Sequence, residues 1–344
     1  MNVVIAGGGF CGSVVAKKLE KIKNIKVVLI DQKEYFEYKP GIPKMIRNKK
    51  NANDLKIEYK EFLKNTSLIF EKIKKINPKK IETENNTYKY DLLVISYGVK
   101  YPIFLKNKEN VFTITAIDET LKALKKLRKS EKILIIGGGL LGVETAAEIA
   151  TQKNKKKIII VHSKDRLIKR NPTYASYIAK KFLEKNNVEI IFKEKIKENK
   201  NGEYLTDKNR IMSADICFWS AGIKCDTSFM EDFDKSIFTG NGCLKVDKYL
   251  RLKGYDNIFV GGDITDIKEE KTAQNSEHHA KTIVKNINRI LLDKKPKKYK
   301  KKIGPLLISL GSKKGILVFR EICFYGFIPA FLKEFVELWF FKKL

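Results

Sequence analysis

Two stretches of the chain space their glycines in a way that suits a bound anion. Residues 7–12 read GGGFCG and residues 137–142 read GGGLLG. In each, the first glycine (Gly7, Gly137) allows a tight turn. Gly9 and Gly139 let the backbone approach a pyrophosphate, and Gly12 and Gly142 permit close helix packing. The phosphates then lie at a helix N-terminus, where free amides and the helix dipole favour negative charge. Asp31 follows Gly12 by 19 residues and His162 follows Gly142 by 20. An acid in that place binds a ribose hydroxyl. A third cluster, TAQNSEHHAK at residues 272–281, sets Gln274 and His278 one helical turn apart on one face. An imidazole there is able to donate a proton to a developing hydroxyl.

These side chains need particular elements to hold them. Residues 2–6 are an apolar run, residues 13–22 have helical spacing, and residues 26–30 are a second apolar run ending at Asp31. The order is strand, glycine turn, helix, strand, acid. It restarts at residues 132–136, with a helix over 143–150 and a strand over 157–161. Both copies place an alanine four residues after the last glycine, Ala16 and Ala146. A helix is expected over residues 171–186 and a long one over 272–292. A basic linker follows at 294–302, then an aromatic, apolar tail. Two dinucleotide loops in one chain imply hydride passing from a nicotinamide to a flavin. Asp31 suits the free ribose hydroxyl of FAD. His162 removes the usual reason to exclude a 2′-phosphate, which opens the second loop to NADPH as well as NADH; the alternative is a polar strand end with no such role.

Composition narrows the classes. A chain of 344 residues, 43% hydrophobic and 32% charged, reads as about two globular domains. A disordered chain, a collagen or a small disulfide scaffold is excluded. No uncharged apolar run reaches the roughly 18 residues of a membrane span, and the first strand leaves no room for a signal peptide ahead of it. The net charge is +30, carried by eight Arg and 62 Lys spread over every segment. That distribution reads as solvated faces with an affinity for anionic lipid, not as a specific nucleic-acid site, which favours Arg forks. The five cysteines form no CxxC pair, so a reducing cytosol is expected and a vicinal dithiol or zinc centre is not. Cys11 is read as a small packing residue.

On these motifs the chain resembles the two-dinucleotide-binding-domain flavoproteins, and among them the type II NADH:quinone oxidoreductases and the ferroptosis-suppressor flavoproteins. The motifs are VVIAGGGFCG, ILIIGGGLLGVE, the crossing segments DLLVISYG and DICFWSAG, and NIFVGGD. The resemblance implies an α/β fold: two Rossmann-like domains, one for FAD and one for NAD(P)H, and an α+β C-terminal segment that docks on a membrane. It implies an FAD domain at 1–120 and 246–298, an NAD(P)H domain at 121–245 and a tail at 299–344. FAD would be held by the first loop, including Phe10 and Cys11, with Asp31, Gly98, Gly262 and Asp263. Lys39 and Pro40 would approach the isoalloxazine, and Ala273 and Gln274 its pyrimidine edge. The nicotinamide nucleotide would be held by the second loop, including Leu141, with His162, Ala221 and Gly222, and Glu144 would lie near the nicotinamide. Gln274 and His278 stand where the type II enzymes carry two glutamines of the quinone site. Ser96-Tyr97-Gly98 replaces the family's Ala-Thr-Gly.

In the tail, Phe327, Phe331, Phe335 and Trp339 recur every four residues, with Lys333, Glu334 and Glu337 on another side. This fits an interfacial helix on an anionic membrane; packing on the protein's own core or a homodimer contact is the alternative. The resemblance places the enzyme on the inner, cytoplasmic face of the cell membrane. Three other readings compete: a sulfide:quinone oxidoreductase, an NADH reductase of a ferredoxin or rubredoxin, and an apoptosis-factor-like nucleic-acid binder.

Overall fold

The computed structural model describes residues 1–47, 50–153 and 156–343. In chain order its principal elements are β1 (Asn2–Ala6), α1 (Phe10–Leu19), β2 (Lys26–Ile30), β3 (Thr66–Ile69), β4 (Leu92–Ile95), β5 (Val111–Phe112), α2 (Ile117–Arg128), β6 (Lys132–Ile136), α3 (Leu140–Ala150), β7 (Lys157–His162), α4 (Thr173–Lys185), β8 (Val188–Phe192), β9 (Ile216–Trp219), β10 (Ile258–Val260), α5 (Ala273–Leu291), β11 (Leu306–Leu310), β12 (Lys314–Phe319), β13 (Ile322–Gly326) and α6 (Phe327–Lys343).

They form two compact units, each made of separate stretches. One joins Met1–Glu37, Lys56–Lys100 and Ile223–Lys302; the other joins Tyr38–Leu55, Tyr101–Gly222 and Ile303–Leu344. The chain thus changes unit just after the two crossing motifs, not at 120 and 245. Gly98 and Gly222 mark the changes, with φ of +73° and +72°. That left-handed backbone costs a glycine nothing. The tail belongs with the second unit, and so do Lys39 and Pro40.

The first unit holds a parallel five-stranded sheet in the order β10-β4-β1-β2-β3. The second holds a parallel sheet in the order β5-β9-β6-β7-β8. Their strands are runs such as VVIA and ILII, buried on both faces. Such continuous β-branched runs suit a parallel sheet covered on both sides. In both sheets the strand before the glycine loop is central. On one side lies the strand ending at Asp31 or His162, on the other the strand of the crossing motif. This is the crevice in which open α/β sheets bind nucleotides. Each unit also carries a three-stranded antiparallel ribbon, over residues 73–89 in one and 196–213 in the other. The internal repeat therefore extends beyond the strand–loop–helix unit.

The α+β C-terminal segment is an antiparallel sheet, β11-β12-β13, with α6 packed on it. α6 is turned opposite to an ordinary surface helix. Glu337 is 2% exposed, whereas Phe327, Phe331, Phe335 and Trp339 are each more than half exposed. The helix turns Glu337 inward and these four rings outward.

Candidate cofactor sites

The first glycine loop is held by its neighbours' backbone and by several side chains. Gly7 N–H donates to the Ile30 carbonyl at 2.9 Å. Gly8 N–H donates to Asp31 Oδ2 at 2.6 Å, while Asp31 Oδ1 accepts from Lys33 N–H at 2.9 Å. Ser96, the residue that opens Ser-Tyr-Gly, donates its hydroxyl to the Gly7 carbonyl at 2.7 Å. The hydroxyl of Tyr59 donates to the Gly8 carbonyl at 3.0 Å. Tyr97 packs against Phe229, ring centroids 4.9 Å apart. The glycines divide into two kinds. A Cβ on Gly12 would lie 1.9 Å from the Gly7 carbonyl oxygen, whereas a Cβ on Gly9 meets nothing. The space above Gly9 faces the start of α1, which has no side-chain cap and no acid in its first turn. A helix start without a side-chain cap, beside a glycine on which a Cβ meets nothing, is what a pyrophosphate needs, so the residues fit a dinucleotide. Phe10 packs edge-on against Phe36 at 5.0 Å.

Behind this loop stands the GGD segment. Cys11 is 2% exposed, and a Cβ on Gly261 would meet its sulfur at 2.4 Å. Burial and the Asp263 carboxylate push the Cys11 thiol far up, so it is packing and not a reactive thiolate. Gly262, at φ +80°, donates its N–H to His279 Nδ1 at 3.0 Å. His279 is 2% exposed, and its Nε2 lies 2.8 Å from Glu269 Oε1. Glu269 in turn accepts from Tyr299 at 3.0 Å. Ser276 reaches Asp263 at 3.5 Å. Sequence reasoning missed His279: of two adjacent imidazoles it marked His278, for its spacing from Gln274. The structure gives His278 a different setting. Its Nε2 lies 2.8 Å from the Lys300 carbonyl and its ring 5.1 Å from that of Tyr299. Gln274 is exposed beside Ala273 in the first turn of α5, which Thr272 caps through Asn275 N–H.

The expectation that no cysteines pair is corrected. Cys225 and Cys243 form a disulfide, 18 residues apart in sequence. A turn at residues 239–242 folds back so that Cys225 N–H meets the Asn241 carbonyl at 3.1 Å. The Gly240-Asn241-Gly242 run displays the turn, but it does not say which cysteines meet there.

The second glycine loop repeats the first with one substitution of chemistry. Gly137 N–H donates to the Val161 carbonyl at 2.9 Å. Gly138 N–H donates to His162 Nδ1 at 3.1 Å, where the first loop uses a carboxylate. A Cβ on Gly142 would lie 1.9 Å from the Gly137 oxygen, and one on Gly139 again meets nothing. α3 opens there without a side-chain cap. Leu141 sits in its first turn. Burial holds the His162 imidazole below its ordinary value of 6.5. Trp219 donates to the Ala221 carbonyl at 2.7 Å and fixes the crossing before Gly222. Arg166 is engaged locally, by Asn171 O at 2.8 Å and Ser176 Oγ at 2.6 Å. Lys164 is exposed.

α3 also carries two acids into a buried ionic cluster that the sequence did not reveal. Glu144 accepts from Ser309 N–H at 2.8 Å and pairs with Lys333 of α6. Glu148, 1% exposed, accepts from Ser309 Oγ at 3.1 Å and lies 3.0 Å from Arg47 Nε. Burial pushes the Glu148 carboxyl up, against the pull of Arg47. Glu337 pairs with Lys44 at 2.8 Å and Lys50 at 3.1 Å. Lys39, exposed, and Pro40 open the 3₁₀ segment Lys39–Arg47 that supplies Lys44 and Arg47.

Comparison with known proteins agrees with this duplicated geometry. The apoptosis-inducing factor homolog B of Dictyostelium discoideum is 29% identical, over 97% of this chain and 93% of its own length. The ferroptosis suppressor protein 1 of Taeniopygia guttata is 29% identical, over 92% and 88%. The type II NADH:quinone oxidoreductase of Staphylococcus aureus is 24% identical, over 98% and 94%. Among solved structures, the sulfide:quinone oxidoreductase of Aquifex aeolicus superimposes with a TM-score of 0.89 at 20% identity, over 99% and 91% of the two chains. NDH2 of Plasmodium falciparum in complex with NADH gives 0.86 at 18% identity, over 97% and 93%. At such identities the structures bear on the fold alone, a two-domain flavoprotein fold. Residues 1–280 match the pyridine nucleotide-disulphide oxidoreductase family, and the chain belongs to that family.

Proposed function

We propose that the protein is an FAD-dependent NAD(P)H:quinone oxidoreductase that works on a membrane surface. The supporting observation is the pair of cradles, each an open central glycine before an uncapped helix, with the neighbouring glycine amide pinned by Asp31 in one and His162 in the other. Relatives named as quinone oxidoreductases and ferroptosis suppressors support the choice of acceptor.

Held by the first loop with Asp31 and Asp263, FAD would supply the chemistry of accepting a hydride from NAD(P)H and of two-electron transfer to a quinone. The chain's own residues bind and orient. The first turns of α1 and α3 hold the two pyrophosphates. Asp31 fixes the Gly8 amide and takes the FAD ribose hydroxyl, and Asp263 takes the ribityl-phosphate region. His162 brings no negative charge to the nicotinamide nucleotide's ribose, so NADPH is accepted beside NADH. Glu144, fixed by Ser309 and Lys333, is assigned to the nicotinamide side. Gln274 is assigned to a quinone carbonyl. His278, on releasing the Lys300 carbonyl, is assigned to deliver a proton to an oxygen of the quinone as it is reduced and to regain one from solvent.

Docking is assigned to α6, whose exposed rings face outward while Lys333 and Glu337 are paired within the protein. Among the described residues no helix is long and apolar enough to cross a membrane, so the contact is interfacial, on the inner face of the cell membrane. The sulfide reading wants a pair of open cysteine sulfurs, but Cys225 is 1% exposed and bonded to Cys243, which among the described residues leaves Cys323 of β13 as the one free thiol that is not buried.

An anaerobic titration tests the proposal. The purified protein's visible spectrum is followed through additions of NADH, then NADPH, then a soluble short-chain quinone. A flavin band that bleaches with nicotinamide and returns with quinone is expected. A band that never bleaches overturns the NAD(P)H half, and bleaching without return overturns the quinone half.

A further inference from the structure

The apolar surface does not stop at α6. β13 pairs only with β12 and so forms the edge of its sheet. The stretch from 322 to 328 reads ICFYGFI, with no charge and no proline. In the register, Phe319 stands opposite Ile322 and Leu317 opposite Phe324, so these four share one face. Phe319, Ile322 and Phe324 are 39%, 56% and 60% exposed. The opposite face is also apolar, but Ile316 and Val318 there are buried. An antiparallel sheet bounded by water alternates apolar with polar, and an edge in water is guarded by charge or proline. This hairpin does neither.

We propose that the β12–β13 hairpin is a second lipid-inserting element beside α6, and that its partner is an anionic phospholipid bilayer. Charge complementarity argues for that occupant. Arg320 at the tip lies 5.6 Å from the Phe319 ring, and Lys343 lies 5.0 Å from Trp339. Each cation sits beside an exposed ring, so the ring enters the acyl region while the cation stays among the headgroups. Glu321 is the only acid between residues 319 and 328. A second copy, also carrying a net charge of +30 over its whole chain, would be repelled where anionic lipid is attracted. A hairpin and a helix also fix the molecule's tilt on the surface, which one helix lying in the interface does not.

This rests on the membrane reading of α6, and the test separates the two. Full-length, FAD-loaded protein is floated with vesicles of phosphatidylcholine alone or with phosphatidylglycerol added. Three forms are compared: wild type, I322N/F324N, and F331S/W339S. Binding to anionic vesicles by wild type, weakened at least about tenfold by I322N/F324N, is expected. The flavin spectrum and turnover of a water-soluble quinone should stay unchanged in that variant. Wild-type affinity in I322N/F324N, with loss in F331S/W339S, overturns the hairpin and leaves the helix. The reverse overturns the helix and leaves the hairpin. Equal binding to neutral and anionic vesicles overturns the choice of lipid. A dimer that I322N/F324N alone abolishes, with lipid affinity unchanged, assigns the face to a second copy. Should I322N/F324N misfold, Phe324→Trp in a W339F background gives a direct reading: quenching by brominated lipid supports insertion and its absence overturns it.

Discussion

The two glycine loops differ at one atom that matters. Gly8 N–H is taken by a carboxylate oxygen of Asp31, and Gly138 N–H by the Nδ1 of His162. The backbone around them is alike: Gly7 and Gly137 have φ of +97° and +110°, and Gly12 and Gly142 are closed by the same carbonyl contact. One loop therefore keeps an acceptor with a full charge beside the ribose position. The other keeps a neutral ring whose remaining nitrogen carries the proton. On the proposed assignment the fold sets the phosphate cradle in both units, while the strand-end side chain sets which ribose the cradle tolerates. The duplicated scaffold can thus hold two different nucleotides without a different backbone.

The largest effect comes from inflicting the same steric change on both loops. Gly12→Ala and Gly142→Ala each press a methyl to 1.9 Å from a carbonyl oxygen. Overpacking of this kind costs about 1–3 kcal/mol or more. Gly12→Ala should yield protein without flavin, read from absorbance per chain. Gly142→Ala should keep the flavin and raise the KM for NADH about 100-fold. Loss of flavin from Gly142→Ala instead would undo the assignment of the loops. Next in size is Asp31→Asn. It replaces a charged acceptor with a neutral one at the Gly8 and Lys33 amides, and such bonds are worth about 1.5–3 kcal/mol. FAD retention on dialysis should fall by about tenfold to 100-fold, with the KM for NADH unchanged.

How far the sequence reaches can be judged on particular residues. The loops, Asp31, His162 and the helix capped by Thr272 are local patterns, fixed by spacing and by glycine's backbone, and a sequence displays them. The inward face of α6 is not local. Its rings and charges make an amphipathic pattern that suits water or lipid equally. What decides is Lys44 and Glu144, nearly three hundred and two hundred residues from their partners Glu337 and Lys333. The Cys225–Cys243 pair is hidden for another reason: only 18 residues separate the two, but nothing local says which of the five cysteines come together. His278 and His279 differ by one position, and only the packing of α5 tells which of them turns to the core.

That second histidine sharpens the comparison. His279 takes the Gly262 amide as His162 takes the Gly138 amide, but His279 has Glu269 at its other nitrogen. It is a positioning residue for the GGD segment. His279→Phe would leave the Gly262 amide buried and unpaired, at a cost of about 1–3 kcal/mol. Thermal unfolding should show lower stability, and FAD should stabilise the variant less than the wild type. His279→Gln, able to accept the amide, should recover part of both. An unchanged FAD-induced shift in His279→Phe would reduce the residue to core packing.

The smallest expected effect lies at His162, and it is the one that turns on a proton. Burial lowers the imidazole below 6.5, so the unfolded loop binds a proton before the folded one does. Its stabilising contribution is complete above 6.5 and is lost as the pH falls through the lowered value. Protonation puts a second donor on Nδ1, facing the Gly138 N–H, and the two repel. The KM for NADH should therefore climb several-fold on the acid side of 6.5, while flavin content stays level. His162→Asn keeps an acceptor for Gly138 and carries no titration, so its KM should be flat across that window. His162→Asp should move the preference between donors about tenfold toward NADH, since one charge facing a 2′-phosphate at close range is worth about 1.4 kcal/mol or more. A variant with an unaltered NADPH to NADH ratio would show that the ribose is read elsewhere, with exposed Lys164 the next residue to change.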